Sequence, residues 1–145
     1  MGRFNLNFLD HPTRTVADPK DYEDYFLNYS KPKWRTDPSG ASFRYRDDDK
    51  VNYTCTLAHA PDYGILVWLR SNSVARRETY WDYVSLHNAD ELDEMVDVSS
   101  EEYYPVGCFI GPKQAWELVK AFLLNPTEEP KSDLLISTSR LPPIR

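Results

Sequence analysis

Apolar and polar residues begin to alternate almost at the first residue. In "RFNLNFL", Phe4, Leu6 and Phe8 fall in phase against Arg3, Asn5 and Asn7, which predicts a half-buried strand. The period then changes. Within "ADPKDYEDYFLNYSKP", Tyr22, Tyr25, Phe26 and Tyr29 recur at helical spacing. Asp18 is placed to cap, Pro19 takes the first helical position, and an end is expected near Ser30, before Pro32. Period two returns in "ASFRYR" and "VNYTCTLA". The turn-like "DDDK" joins them into a hairpin that puts Val51, Tyr53, Cys55 and Leu57 on one face.

"ILVWLR" is apolar in both phases, so it is expected inside a sheet covered on both sides. "ETYWDYVSLH" is a further strand rich in β-formers, and "EMVDVS" reads as a short edge strand guarded by its charges. The run "YYPVGCFI" is strand-like. Gly111 and Pro112 then start a helix with the apolar stripe Ala115, Trp116, Val119, Phe122 and Leu123. Asn125 and Pro126 stop it, and "DLLIST" is the last strand. Consecutive strands with tight connections favour antiparallel pairing. The expected class is α+β, a mainly antiparallel sheet of about five to seven strands with two main helices packed on it. At 145 residues and 14% aromatic content the chain reads as one folded domain over residues 1–138, followed by a flexible tail, residues 139–145.

Charge changes the picture once it is located. The formal net charge is −6. Seven acids (Asp90, Glu91, Asp93, Glu94, Asp97, Glu101 and Glu102) fall within one segment that holds no Lys or Arg, leaving 16 acids against 17 bases elsewhere. A localised negative field repels nucleic acid and draws cationic surfaces, so it argues against a nucleic-acid partner and for a basic protein one. A solvated acidic loop with no partner is the plainer reading of the same charges. Tyr103 and Tyr104 follow directly, and tyrosines beside carboxylates suit a protein interface as well as they suit a core. These nine residues are the candidate binding surface.

Reactive chemistry is sparse. His11, His59 and His87 are scattered, and nothing local sets one beside Cys55, Cys108 or a serine to make a nucleophile with its base. No HxxxH, CxxC or HExxH spacing occurs, and "DDDK" lacks the ligand spacing and glycine of a calcium loop, so neither metal nor cofactor is expected. Glu101 and Glu102, being adjacent, point to opposite faces of an extended chain and make a poor acid-base pair. "RSNSVARRE" reads as a solvated hairpin loop rather than a grip for an anion. Cys55 and Cys108 lie in alternating or apolar stretches and read as small core hydrophobes. The N-terminus lacks the apolar run of a signal peptide and no segment approaches membrane-spanning length, so a cytoplasmic chain with no membrane partner is expected.

The run from Val106 to Ile136, "VGCFIGPKQAWELVKAFLLNPTEEPKSDLLI", resembles the C-terminal part of the Imm1 family of bacterial immunity proteins. Phe109 and Ile110 match that family's short strand, and Pro112 its helix start. Ala115 and Trp116 match the helix face, with Val119 on the same stripe, Phe122 and Leu123 the helix end, and Pro130 the turn proline. "NPTEEP" stands where the family has a glycine-arginine-proline turn, Gly111 is an extra residue before the helix proline, and Ser137 and Thr138 stand where the family closes with tryptophan. The resemblance implies a scaffold of helix and strand with no catalytic residue. It also implies a partner: the C-terminal domain of a cognate toxin, a nuclease or deaminase with a basic groove, encoded beside this chain. On that reading the acidic segment plugs the groove, and the chain is a monomer or weak homodimer. The alternative from another class is a non-catalytic small-molecule or peptide-binding module whose aromatic sheet face forms a pocket, and an enzyme built around a histidine is third.

Overall fold

Strands that follow one another along the chain are not always neighbours in space. A computed structural model describes residues 2–9, 11–34, 41–99 and 102–141. Its strands are β1 (Arg3–Phe8), β2 (His11–Arg14), β3 (Ala41–Arg46), β4 (Asn52–Ala60), β5 (Gly64–Ser73), β6 (Glu78–Ser85), β7 (Met95–Ser99), β8 (Glu102–Pro105) and β9 (Leu135–Ser137). The helices are α1 (Glu23–Leu27), α2 (Lys31–Trp34) and α3 (Pro112–Leu124). Seven strands form one antiparallel sheet in the order β2-β1-β3-β4-β5-β6-β9, while β7 and β8 pair only with each other. The class is α+β, as the pattern of periods predicts. Among the described residues no helix is long and apolar enough to cross a membrane.

One long helix stands where two were expected. Asp18 does cap, its Oδ1 accepting from the Lys20 amide at 3.0 Å, and Pro19 does come first, but the turn they start is a 3-10 turn, Pro19–Asp21. Tyr22, at φ −116°, interrupts the regular helix, so only Glu23–Leu27 is α-helical. Asn28, at φ −110° and ψ 50°, ends it, and Pro32, with no amide hydrogen to continue a helix, sits in a separate single turn. The expected face survives the break: Tyr22 and Phe26 are buried, and Tyr25 and Tyr29 half-buried.

The helix-covered face of the sheet holds the larger core. Phe8 is its hub, with the rings of Tyr22, Tyr25, Phe26, Trp34 and Phe43 centred 4.9, 5.4, 5.6, 5.3 and 5.4 Å away in the order Tyr25, Tyr22, Phe26, Trp34, Phe43. Leu6, Cys55, Leu57, Ile65, Val67 and Leu69 extend it, and α3 closes it with Ala115, Trp116, Leu118, Val119, Phe122 and Leu123. A smaller core lies on the other face, where Ala58, Ala60, Leu66, Val84, Cys108, Phe109 and Ile136 meet Trp68, Val96, Val98 and Tyr104. Because β5 sends Ile65, Val67 and Leu69 to one core and Leu66 and Trp68 to the other, "ILVWLR" is apolar in both phases.

The strand expected over "YYPVGCFI" divides. Only Glu102–Pro105 is a strand. Val106–Cys108 is a 3-10 turn, and Ile110 makes a single bridge to Ile65, with N–O distances of 2.9 and 2.8 Å. Gly64 permits that bridge: its φ is +121°, and a Cβ there would lie 2.3 Å from the Ile110 carbonyl oxygen. "EMVDVS" is an edge strand as expected, but of the separate two-stranded sheet, where its partner is β8. At the C-terminal end, Thr138–Arg140 make a 3-10 turn and Leu141 packs on the smaller core, while residues 142–145 lie outside the described residues.

Candidate functional site

The acidic segment is held by backbone capping before any of its carboxylates is presented. Asn88 caps the 3-10 turn Ala89–Glu91: its Oδ1 accepts from the Asp90 amide at 3.0 Å, and its Nδ2 donates to Glu91 Oε1 at 2.9 Å. The amides of His87 and Asn88 both donate to the Gly107 carbonyl, at 2.7 and 3.1 Å, and Val106 donates to the Glu94 carbonyl at 2.8 Å. A Cβ on Gly107 would come within 2.0 Å of the Asn88 carbonyl oxygen, so this close approach requires glycine.

From that footing rises the β7–β8 hairpin. Its register sets Val96 opposite Tyr104 and Asp97 opposite Tyr103. Alternation does the sorting: Val96, Val98 and Tyr104 turn inward onto the smaller core, and Asp97 and Tyr103 turn outward. Tyr103 is 51% exposed, Met95 is 41% exposed, and Asp90, Asp93, Glu94 and Asp97 are all exposed. None of these four acids is ion-paired among the described residues.

The nine sequence-predicted residues therefore separate. Asp90, Asp93, Glu94, Asp97 and Tyr103 lie on the outward surface. Tyr104 and Glu91 are half-buried: Tyr104 packs on the smaller core and Glu91 accepts from Asn88. Glu101 lies outside the described residues, and Glu102 opens β8. Met95 is a further member of the outward surface, signalled by its place two residues before Asp97 in an alternating stretch.

The residues that carry the family resemblance are structural here. Ala115, Trp116, Val119, Phe122 and Leu123 are buried under α3. Phe109 and Ile110 are buried on opposite faces, and Pro112 opens the helix after Gly111, whose amide donates to Gln114 Oε1 at 3.1 Å. Pro130 lies in the loop after α3 and helps to line a cavity of about 210 Å³. Leu69, Leu118 and Phe122 give this cavity an apolar floor, Tyr53 and Trp81 form a wall with ring centroids 5.7 Å apart, and Glu128, Glu129, Arg70 and Lys131 add charge of both signs to its lining. The Tyr83 hydroxyl donates to Glu129 at 3.1 Å, and the carboxylate beside it raises the phenol's pKa.

Cys55 is buried in the larger core and Cys108 in the smaller one, so the sheet separates them; both are free thiols. Burial raises both pKa values, that of Cys108 to about 11, which keeps each as the inert thiol. The His59 ring shares a hydrogen bond with the Tyr29 hydroxyl and lies 5.5 Å from the Trp34 ring, and His87 is exposed. Among the described residues no group of three or more His, Cys, Asp or Glu side chains converges to hold a metal. "DDDK" is a self-capped turn: Asp47 Oδ1 accepts from the amides of Asp49 and Val51, both at 2.9 Å. Arg76 and Arg77 are exposed in the β5–β6 turn, whereas Arg70 lies within β5, its Nε 3.6 Å from Asp82.

Compared with family models, with curated proteins and with solved structures, the chain matches none.

Proposed function

We propose that the chain is a cytoplasmic, non-catalytic immunity protein that neutralises a cognate toxin by laying its acidic hairpin in the toxin's basic groove. The outward pairing of Asp97 with Tyr103 carries this reading. It sets an exposed aromatic beside an unpaired carboxylate, with Met95 and three more acids around it. Tyrosine and methionine supply contact area that anchors an interface, and the carboxylates steer a cationic partner toward it. The bond from the Val106 amide to the Glu94 carbonyl at the hairpin's base, the bonds of His87 and Asn88 to Gly107 in the segment leading to it, and the hairpin's seat on the smaller core hold that surface in place, so binding orders few groups. No cofactor and no reaction belong to this role.

Titration against the catalytically disabled C-terminal domain of the toxin encoded next to this chain tests it. The expected result is one-to-one binding that weakens as salt rises. Replacing Asp90, Asp93, Glu94 and Asp97 by Asn or Gln is expected to slow association by about tenfold at low salt. An unchanged rate would remove the hairpin from the contact, and absence of binding at either salt would remove the function.

The cavity favours a second reading, a small-molecule site. Its aromatic wall suits a planar ring, and with Arg70 engaged by Asp82 the carboxylates of Glu128 and Glu129 outnumber Lys131 in the lining, which favours a ring that carries a cation. Tryptamine and indole-3-acetate share a ring and differ in charge. On this reading tryptamine raises the melting temperature and indole-3-acetate does not. Equal behaviour of the two, or no shift with either, would count against it.

A further inference from the structure

The hairpin covers only part of its face of the sheet. Across the remainder, strand register lines up polar side chains in rows. Arg3, Arg46, Asn52, Asn72 and Thr79 make one row, and Asn5, Arg44, Thr54, Arg70 and Asp82 the next. Alternation fixes their direction, because Phe4, Leu6, Phe43, Tyr45, Cys55 and Leu69 pack toward the helix side and the intervening residues point the other way. Four arginines thus share these two rows with a single acid, Asp82, which is already engaged by Arg70 and by the Trp68 indole at 2.5 Å.

Arg3, Arg44 and Arg46 are exposed, and none is paired among the described residues. Moreover Arg3 and Arg46 sit directly opposite one another across β1 and β3, a like-charge arrangement that disfavours the sheet unless an anion lies over it. The shelf offers no exposed aromatic ring in its two rows, so it lacks the stacking platform of a single-strand nucleic-acid binder. Guanidinium forks beside Asn and Thr suit carboxylates.

A fitting set of carboxylates is on the same face of the same molecule. Asp97 stands on the hairpin and Asp93 and Glu94 lead into it; the hairpin packs on this side of the sheet with Trp68 and Val84, whose row is the next one to that of Arg44, Arg70 and Asp82. A surface made of an acidic ridge next to a basic shelf is self-complementary under a two-fold axis. The dimensions agree: five strands at about 4.8 Å spacing make a shelf about 20 Å across, wide enough to receive a two-stranded ribbon.

We propose that two copies of this chain pair through this face, the acidic ridge of each lying on the arginine shelf of the other. This inference does not depend on the toxin reading. The two are linked only in that a dimer would cover the hairpin, so a toxin would have to displace the second copy.

Sedimentation equilibrium of the full chain, with two charge-reversed variants, tests the proposal. One variant carries Arg44→Glu with Arg46→Glu, the other Glu94→Lys with Asp97→Lys. All four side chains are exposed, and circular dichroism with urea midpoints checks that each variant folds. The wild type is expected at twice the 16.9 kDa of one chain in about 50 mM salt, shifting toward monomer by about 500 mM. Each variant alone is expected to dimerise at least about tenfold more weakly, while an equimolar mixture of the two forms a heterodimer, because both ridge-and-shelf contacts are then again of opposite sign. A wild type that stays monomeric at both salts overturns the proposal, as does a dimer that neither variant weakens. A monomer that binds a short single-stranded oligonucleotide, and loses it in the arginine variant, assigns the shelf to nucleic acid and overturns it equally. The arginine variant keeps its hairpin acids, so loss of the dimer is separable from loss of a toxin contact.

Discussion

The two faces of the sheet are built on opposite terms. Beneath the helices, large rings interlock around Phe8 and Phe43, and α3 adds six buried side chains, so nearly every position is closed to solvent. On the other face, the core is made of small residues such as Ala58, Ala60 and Cys108 under a two-stranded hairpin, and the rest of the surface is polar. Stability scales with apolar area removed from water, so it concentrates on the helix side. The hairpin side is thereby left free to display charge, and both the candidate binding surface and the arginine shelf lie there.

Truncating a side chain on each face would break or sharpen that contrast most directly. Phe8→Ala removes the ring that touches five others, and its expected cost is about 3–5 kcal/mol. Val96→Ala, on the half-buried inward face of the hairpin, is expected to cost about 1 kcal/mol. Urea midpoints measure both. Similar losses at the two positions would mean that the hairpin is as much a part of the cooperative core as the aromatic cluster, and the division of labour would fail.

The helix side is also the side that can be read from sequence. The stripe of α3, the alternation of β1 and the double-faced β5 are each local patterns, and each survives into the structure because burial of one face dictates it. The breaks in the first helical segment were not legible, since Tyr22 and Asn28 leave the helical pattern intact while their backbone angles depart from it. Neither was β2: "HPTR" is short, and it holds Pro12, which only an edge strand tolerates. The acidic segment was plain as charge, but only the Val96–Tyr104 register reveals which tyrosine turns out. The arginine shelf is the extreme case. Arg3, Arg44, Arg46 and Arg70 are dispersed over 68 positions, and only the spatial order β1-β3-β4-β5 makes them one surface.

A smaller effect separates the faces through their cysteines. Burial raises the pKa of Cys55 in the larger core and that of Cys108 in the smaller one, so native protein holds both protons more tightly than the unfolded chain does. A raised acid contributes stability that is complete below its unfolded value and is lost as pH climbs toward its folded one. For Cys108 that window runs from about pH 9 to about pH 11, and the loss across it is on the order of 2 kcal/mol. Stability measured by urea at pH 8 and at pH 10.5 should therefore fall, and Cys108→Ala should remove a distinct part of that fall even though it lowers stability at both pH values. Cys55, whose pKa is raised further by complete enclosure, should continue to contribute a slope above that window. If Cys108→Ala leaves the slope unchanged, the smaller core admits enough water to solvate a thiolate. The hairpin would then be a looser cover than the Val106–Glu94 bond at its base implies, and a less pre-ordered surface for any partner.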